Sequence, residues 1–475
     1  MSVPPSDEPL SAAPHGITAA HRYPFATRGA PFQVKRTEGC YLVTPDGRRV
    51  LDAAGGAIVV NIGHGRREVA EVYASAAQEA TYVVPPFVTE SRARLTERLL
   101  DRWVPAGITR VVFTCGGSES VDGAVRLARQ HHLSAGREGR YKVIGRDLSY
   151  HGVTLATLAV GGHGKRRAGF EPLLLQQPKA PACYCFRCPL ERSYPDCEVA
   201  CASALEETIL REGPETVAAF IAEPIGGSTA GALVPPDEYW PRVREICSRY
   251  GVLLIADEVM TGYGRTGSKF AVDHWGIAPD ILIGGKGLTG GYAPMGAIFA
   301  TEAVVEPIMA AGDELMFYTY SAHPAGCAVA DKVLEILERE RLVERSAAMG
   351  RVLRDRLEQA LGSHPNVADI RGRGLLQAVE LVRDRTTLEP FPKEARLTSK
   401  VVAAGLGKDV FFYPGGSDPA RDVITLGPPF IITEAEIDRL VDVLGTAISS
   451  AVARAEGATT PSMSWAPNTA QGAEA

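Results

Sequence analysis

Hydrophobic and polar positions follow three different rhythms along this chain. Residues 38–56, EGCYLVTPDGRRVLDAAGG, alternate in two runs around Pro45-Asp46-Gly47, which predicts a β-hairpin. Residues 67–78 (REVAEVYASAAQ) and 93–103 (ARLTERLLDRW) place apolar side chains three and four apart, which predicts helices. From about residue 108, short apolar runs alternate with helical patterns: VVFT, KVIGR, AAFIAE, VLLIADE and ILIGGK each end on a polar or Gly-rich turn. That rhythm predicts an α/β fold with a mostly parallel sheet covered by helices on both faces. Residues 328–361 read as one long helix, and VADIRGRGLLQAVELV (367–382) and DVITLGPPFIITEAEIDRLVDVLGTAI (422–448) then predict a smaller α+β unit packed with the N-terminal hairpin. No internal repeat is visible.

The expected layout is a tail over 1–20, the first part of a small domain over 21–80, a large domain over 81–330, the rest of the small domain over 331–455, and a second tail over 456–475. Length and composition are compatible with it: 475 residues, 45% hydrophobic and 22% charged, are ordinary for a large globular chain. A net charge of −6 gives no support for nucleic-acid binding. No run of eighteen apolar residues suggests a membrane span. The opening MSVPPSDEPLSAAPHG lacks the basic start and apolar core of a secretory leader, so a cytoplasmic location is expected.

The chemistry is concentrated in residues 252–286, where one apolar run ends at Asp257 and a second ends at Gly284-Gly285-Lys286. Open α/β sheets place their ligand crevice at the carboxyl ends of strands. An acid and an amine across such a crevice suit a cofactor with a basic ring nitrogen and an aldehyde, as in pyridoxal 5′-phosphate (PLP). Singly, Asp257 also reads as a helix cap and a lysine as a surface charge. Lys286, however, sits in a Gly-rich loop between apolar segments, where burial would favour the neutral amine. Cys115-Gly116-Gly117-Ser118-Glu119-Ser120 follows VVFT and opens a helix, which offers free N–H groups to a phosphate or forms a plain tight turn. Ser149-Tyr150-His151-Gly152 supplies an aromatic that either stacks on a planar ring or fills the core.

In chain order, GGSES, SYHG, AEP, ADEVMTGYGRTG, GGKG and TYSAHP resemble the class III aminotransferases, the ω-aminotransferase branch of the fold-type I PLP enzymes. The resemblance runs from about residue 25 to 455. It implies a large PLP-binding domain and a smaller α+β domain built from both chain ends. It implies that Lys286 holds the cofactor as a Schiff base and shuttles the proton, while Asp257 keeps the ring nitrogen protonated. Tyr150 would stack on the ring with His151 beside it, and Val259 would pack beneath. Gly117 and Ser118 would bind the phosphate, and Glu223 would lie near the 3′-oxygen. Thr319 would reach the phosphate of a neighbouring subunit, so a homodimer is expected, with pairing into tetramers left open. The implied reaction moves an amino group from an amine or ω-amino acid to pyruvate or 2-oxoglutarate through pyridoxamine phosphate. A decarboxylase, aminomutase or racemase of the same family is the alternative. A non-catalytic scaffold is a third reading, against which Lys286 and Asp257 both argue.

Three positions depart from related patterns. Ser228 stands where GABA- and ornithine-type members carry a second Glu. Arg421 is the local candidate for clamping an acceptor carboxylate, or else an exposed loop arginine. Ile58 replaces a Trp over the donor pocket, which suggests a wider, more aliphatic site for bulky or long amines.

Five cysteines fall in an insertion over 181–202: Cys183, Cys185, Cys188, Cys197 and Cys201. The spacings Cys185-x2-Cys188 and Cys197-x3-Cys201 could make a tetrahedral thiolate site for zinc. Reduced thiols packed in a loop are the favoured expectation, with no metal.

Overall fold

The computed structural model describes residues 32–314 and 317–456. The tail expected over 1–20 lies outside these residues, as does 457–475. The centre is a seven-stranded sheet made of β1 (Ile108–Thr114), β2 (Lys142–Arg146), β3 (Lys179–Ala180), β4 (Val217–Ala222), β5 (Leu253–Asp257), β6 (Ile281–Gly284) and β7 (Gly296–Thr301). Their spatial order is β1-β7-β6-β5-β4-β2-β3. Every pair from β6 through β3 is parallel, whereas β7 runs antiparallel to both β6 and β1. Six strands therefore point the same way, and the sheet is mostly parallel with one reversed member.

Strands covered on both faces read as unbroken apolar runs, because neither side meets water. Every residue of β4, β5 and β6 is buried. The helix α1 (Gly117–Ser134) packs over this sheet, with Val121, Ala124 and Ala128 buried against Ile255, Ile283 and Ile298. Helix α2 (Tyr239–Tyr250) buries Trp240 and Val243 in the larger core cluster.

Both chain ends contribute to smaller sheets. The predicted hairpin is present: Tyr41–Val43 pairs antiparallel with Arg49–Asp52. The latter strand pairs in parallel with Val410–Phe411, which ties the two ends of the chain together. A second four-stranded sheet joins Val367–Arg373, Leu376–Leu381, Ala420–Leu426 and Tyr413–Ser417. The long helix read over 328–361 is in fact two, Pro324–Arg339 and Leu342–Leu361. The break falls at Arg341, whose φ is +52°. Ion pairs Arg66–Glu340 and Arg339–Glu68, both 2.7 Å, hold the first helix's end against the segment around residue 66.

The arginine of the GRTG stretch secures this arrangement. Buried Arg265 donates to the carbonyls of Val60 (2.8 Å), Pro428 (2.6 Å) and Leu375 (3.3 Å). Its guanidinium also lies 4.6 Å from the Phe430 ring centroid. One side chain thus links the central segment to chain from both ends. Among the described residues no helix is long and apolar enough to cross a membrane.

Candidate active site

The parallel strands deliver their carboxyl ends to one edge of the sheet, and a cavity of about 170 Å³ lies there. Gly117 and Ser118 reach it after β1, Tyr150 and His151 after β2, Glu223 after β4, Asp257 at the end of β5, and Lys286 after β6. Val259 lies there too, and Gly152 and Met260, not singled out from the sequence, also line it. Residues drawn from five strand ends are brought together because all five strands are parallel, as expected for a crevice in an open sheet.

Asp257 is buried, with its carboxylate held on two sides. His151 Nδ1 lies 2.7 Å from Oδ2, and the Val259 N–H donates to Oδ1 at 3.1 Å. Glu223 accepts from the N–H groups of Tyr150 (2.9 Å) and Gly227 (2.8 Å), so it fixes the loop carrying Tyr150. Burial pushes its carboxyl above the usual range, with His151 opposing. Lys286 adopts φ +41° between two glycines, a left-handed conformation that costs about 1–3 kcal/mol in a non-glycine residue. Burial pushes its amine down to about 8, while Asp257 and Glu223 pull the other way. The neutral fraction near neutrality is therefore far larger than for an exposed lysine, and the neutral amine is the nucleophilic form.

Two glycines are required by close approach. A Cβ on Gly117 would stand 2.9 Å from Val259 Cγ1. Gly152, at φ +134°, would place a Cβ 2.5 Å from Ser118 Oγ. At the first turn of α1 the Glu119 carboxylate accepts the Cys115 N–H at 2.8 Å, and Ser118 Oγ accepts from the Val153 N–H at 3.2 Å.

These residues fit a phosphorylated pyridine aldehyde. A helix N-terminus suits the phosphate, a buried carboxylate suits a ring N–H, and an amine of lowered pKa suits the aldehyde. The buried Nε2 of His151 has no hydrogen-bond partner within the protein.

Other predicted residues lie elsewhere. Thr319 is exposed, between exposed Phe317 and Tyr320, with the Tyr318 hydroxyl donating to the Glu119 carbonyl at 3.1 Å. Ile58 is buried at φ +58° in an apolar cluster with Met260 and Tyr413. Arg421 lines a second, outer cavity of about 470 Å³ rather than the inner one. It donates to the Phe391 carbonyl at 2.8 Å and pairs with Asp418 at 3.3 Å. Arg166 was not singled out from the sequence: its guanidinium carbon lies 4.9 Å from the centroid of the Tyr150 ring. No motif pointed to it, since its meaning comes from contact with Tyr150.

The cysteines of the insertion are all free. Among the described residues, no group of three or more His, Cys, Asp or Glu side chains is arranged to hold a metal. Burial pushes the Cys185 thiol up to about 11 and Cys201 up to about 12, so both are protonated. Arg187 anchors the insertion by donating to Glu380 (2.6 Å) and to the Leu388 carbonyl (2.9 Å).

Comparison with known proteins accords with this geometry. The sequence profile of the Aminotransferase class-III family matches residues 24–448. A probable aminotransferase of Mycobacterium tuberculosis is 37% identical over 461 residues, covering 94% of this chain and 97% of the relative. A putrescine–pyruvate aminotransferase of Pseudomonas aeruginosa is 35% identical, covering 86% and 88%. The crystal structure of an (S)-enantioselective omega-transaminase from Thermomicrobium roseum superposes with a TM-score of 0.85 at 37% identity, covering 91% and 96%. The chain thus belongs to the class III aminotransferases, PLP-dependent enzymes of fold type I.

Proposed function

We propose that the protein transfers an amino group from an amine or ω-amino acid to a 2-oxo acid, with Lys286 holding the cofactor. The observation that carries this reading is the convergence of Asp257 and Lys286, with Tyr150 and the α1 N-terminus, on one buried cavity. PLP, when bound, supplies an electron sink for the bond cleaved at the substrate carbon. Lys286 would hold it covalently through Nζ and, once displaced by the substrate amine, carry the proton between two carbons. Asp257 would pair with the ring N–H, and His151 would fix the orientation of that carboxylate. Tyr150 and Val259 would sandwich the ring, and Gly117 and Ser118 would take the phosphate.

Thr319 would complete the phosphate site of a second copy, which makes a homodimer the working unit in this reading. Support comes from exposed aromatic side chains around it, Phe317 and Tyr320, with Tyr82 in edge contact with Tyr320 at 6.2 Å. Such a group of apolar side chains is suited to a protein interface. A cytoplasmic location belongs to the same proposal. So does an amine donor longer or bulkier than taurine, since Ile58 leaves the donor side aliphatic. One relative is named for putrescine and pyruvate and another, also 35% identical, for taurine and pyruvate, so the donor preference rests on Ile58.

The test is the absorption of the purified holoenzyme treated with an amine alone. Bleaching of the long-wavelength band and its return with pyruvate or 2-oxoglutarate supports transamination. Release of CO2, or an isomer formed with no oxo acid, would transfer the assignment to the decarboxylase or isomerase alternative.

A further inference from the structure

The outer cavity carries an unusual set of polar groups. Arg166 lines this cavity and faces the ring of Tyr150, which lines the inner one. Its Nε is buried without a hydrogen-bond partner, and among the described residues no ion pair is formed by its guanidinium. Three neighbours on the same cavity also carry a buried, unpartnered atom: Ser228 Oγ and His163 Nδ1, in residues 7% exposed, and Arg421 Nε. Buried polar groups are nearly always satisfied, so four orphans on one cavity mark a place built for a polar ligand. Burial, with Arg166 and Lys165 nearby, pushes His163 down to about 4, so it faces the cavity as a neutral ring.

The sign of that ligand follows from the charges. The cavity's two carboxylates are already engaged at its outer end: Asp418 with Lys393 (3.2 Å) and Arg421 (3.3 Å), and Asp422 with Thr398 (3.1 Å). Arg421 thereby has an ion-pair partner for one terminal nitrogen, whereas among the described residues Arg166 has none. Ser228 adds a hydroxyl where a carboxylate would have neutralised the site.

We propose that Arg166, assisted by Ser228 and His163, binds the carboxylate of the 2-oxo acid acceptor, in place of Arg421. The identity of the anion rests on the aminotransferase reading. A planar guanidinium beside the stacking tyrosine can grip a carboxylate in a fork while the oxo carbon faces Lys286. A carboxylate-free amine makes no use of this grip.

The experiment titrates the holoenzyme with propionate, an unreactive carboxylate, following the cofactor's absorption. Arg166→Gln is expected to weaken propionate about 10- to 100-fold, and Ser228→Ala about 2- to 10-fold. Arg166→Lys should fall between wild type and Arg166→Gln, and Arg421→Gln should bind propionate as wild type does. In the half-reactions, Arg166→Gln raises KM for pyruvate and leaves the step with 1,4-diaminobutane unchanged. The assignment is overturned if Arg421→Gln loses propionate while Arg166→Gln keeps it. It is equally overturned if Arg166→Gln lowers PLP affinity and the diamine step as much as propionate binding, because Arg166 would then only hold Tyr150. A wild-type enzyme that binds propionate through Arg166 yet is never bleached by any amine would instead sink the transaminase reading and leave the anion site standing.

Discussion

His151 Nδ1 lies 2.7 Å from the buried carboxylate of Asp257, although 106 residues separate the two in sequence. The pair joins the turn after β2 to the end of β5. A carboxylate that must meet a ring N–H at a fixed angle benefits from a second partner that removes its rotational freedom. His151→Ala removes that partner and leaves a small space. The expected result is weaker PLP binding and a kcat lower by about 10- to 100-fold, the worth of one hydrogen bond to a charged group. His151→Asn, which can still donate, should recover part of both. Equilibrium dialysis of the cofactor together with steady-state rates checks this, and an unchanged kcat in His151→Ala would show that Asp257 needs no support.

Lys286 makes the cofactor-free protein sensitive to pH. Burial lowers its amine to about 8 in the fold, from the 10.5 of an exposed lysine. Between these values the unfolded chain binds the extra proton and the folded one does not, so stability rises with pH across that window. Below about 8 both states carry the charge, and the burial penalty is fully felt. Urea unfolding of apoenzyme at pH 7.5 and 10, set against Lys286→Met, should show a pH-dependent gain in wild type that the variant lacks. PLP uptake should likewise accelerate with pH and level off near the same value, since only the neutral amine attacks. Equal pH slopes for the two proteins would contradict the burial assignment.

Asp257 and Lys286 were legible because each closes an apolar strand-like run, and the end of a parallel strand is a place of known meaning. Gly117, Ser118 and Tyr150 were legible through motif order. The partner of Asp257 was not, because nothing local to His151 predicts which strand end it will meet. The helix break at Arg341 was equally hidden: no Gly or Pro marks it, and its left-handed backbone is sustained by tertiary ion pairs through Glu340 and Arg339. Arg421 illustrates the converse. Its charge and position suggested a clamp, but its two terminal nitrogens are engaged, one by Asp418 and one by the Phe391 carbonyl.

Gly117 offers a test of the fit around the cofactor. With a Cβ only 2.9 Å from Val259 Cγ1, Gly117→Ala must displace the side chain proposed to lie beneath the ring. Overpacking of this kind costs about 1–3 kcal/mol, so PLP affinity should drop about tenfold or more. Gly117→Ala/Val259→Ala should recover much of the loss, since the clash has one listener. Additive losses in that double-mutant cycle would mean the two residues do not share a wall.

Arg265 is predicted to be a structural rather than a chemical residue, even though it lies in the most specific motif of the chain. Its donors are committed to carbonyls of Val60, Leu375 and Pro428, three segments distant in sequence. Arg265→Met preserves length and apolar stem but leaves buried carbonyls without donors, at about 1–3 kcal/mol each before relaxation. The expected outcome is a loss of several kcal/mol in stability, seen as a lower urea midpoint. The surviving folded fraction should keep its KM for both substrates, because no substrate atom depends on this side chain. A variant with wild-type stability and a raised KM would place Arg265 in the binding site instead.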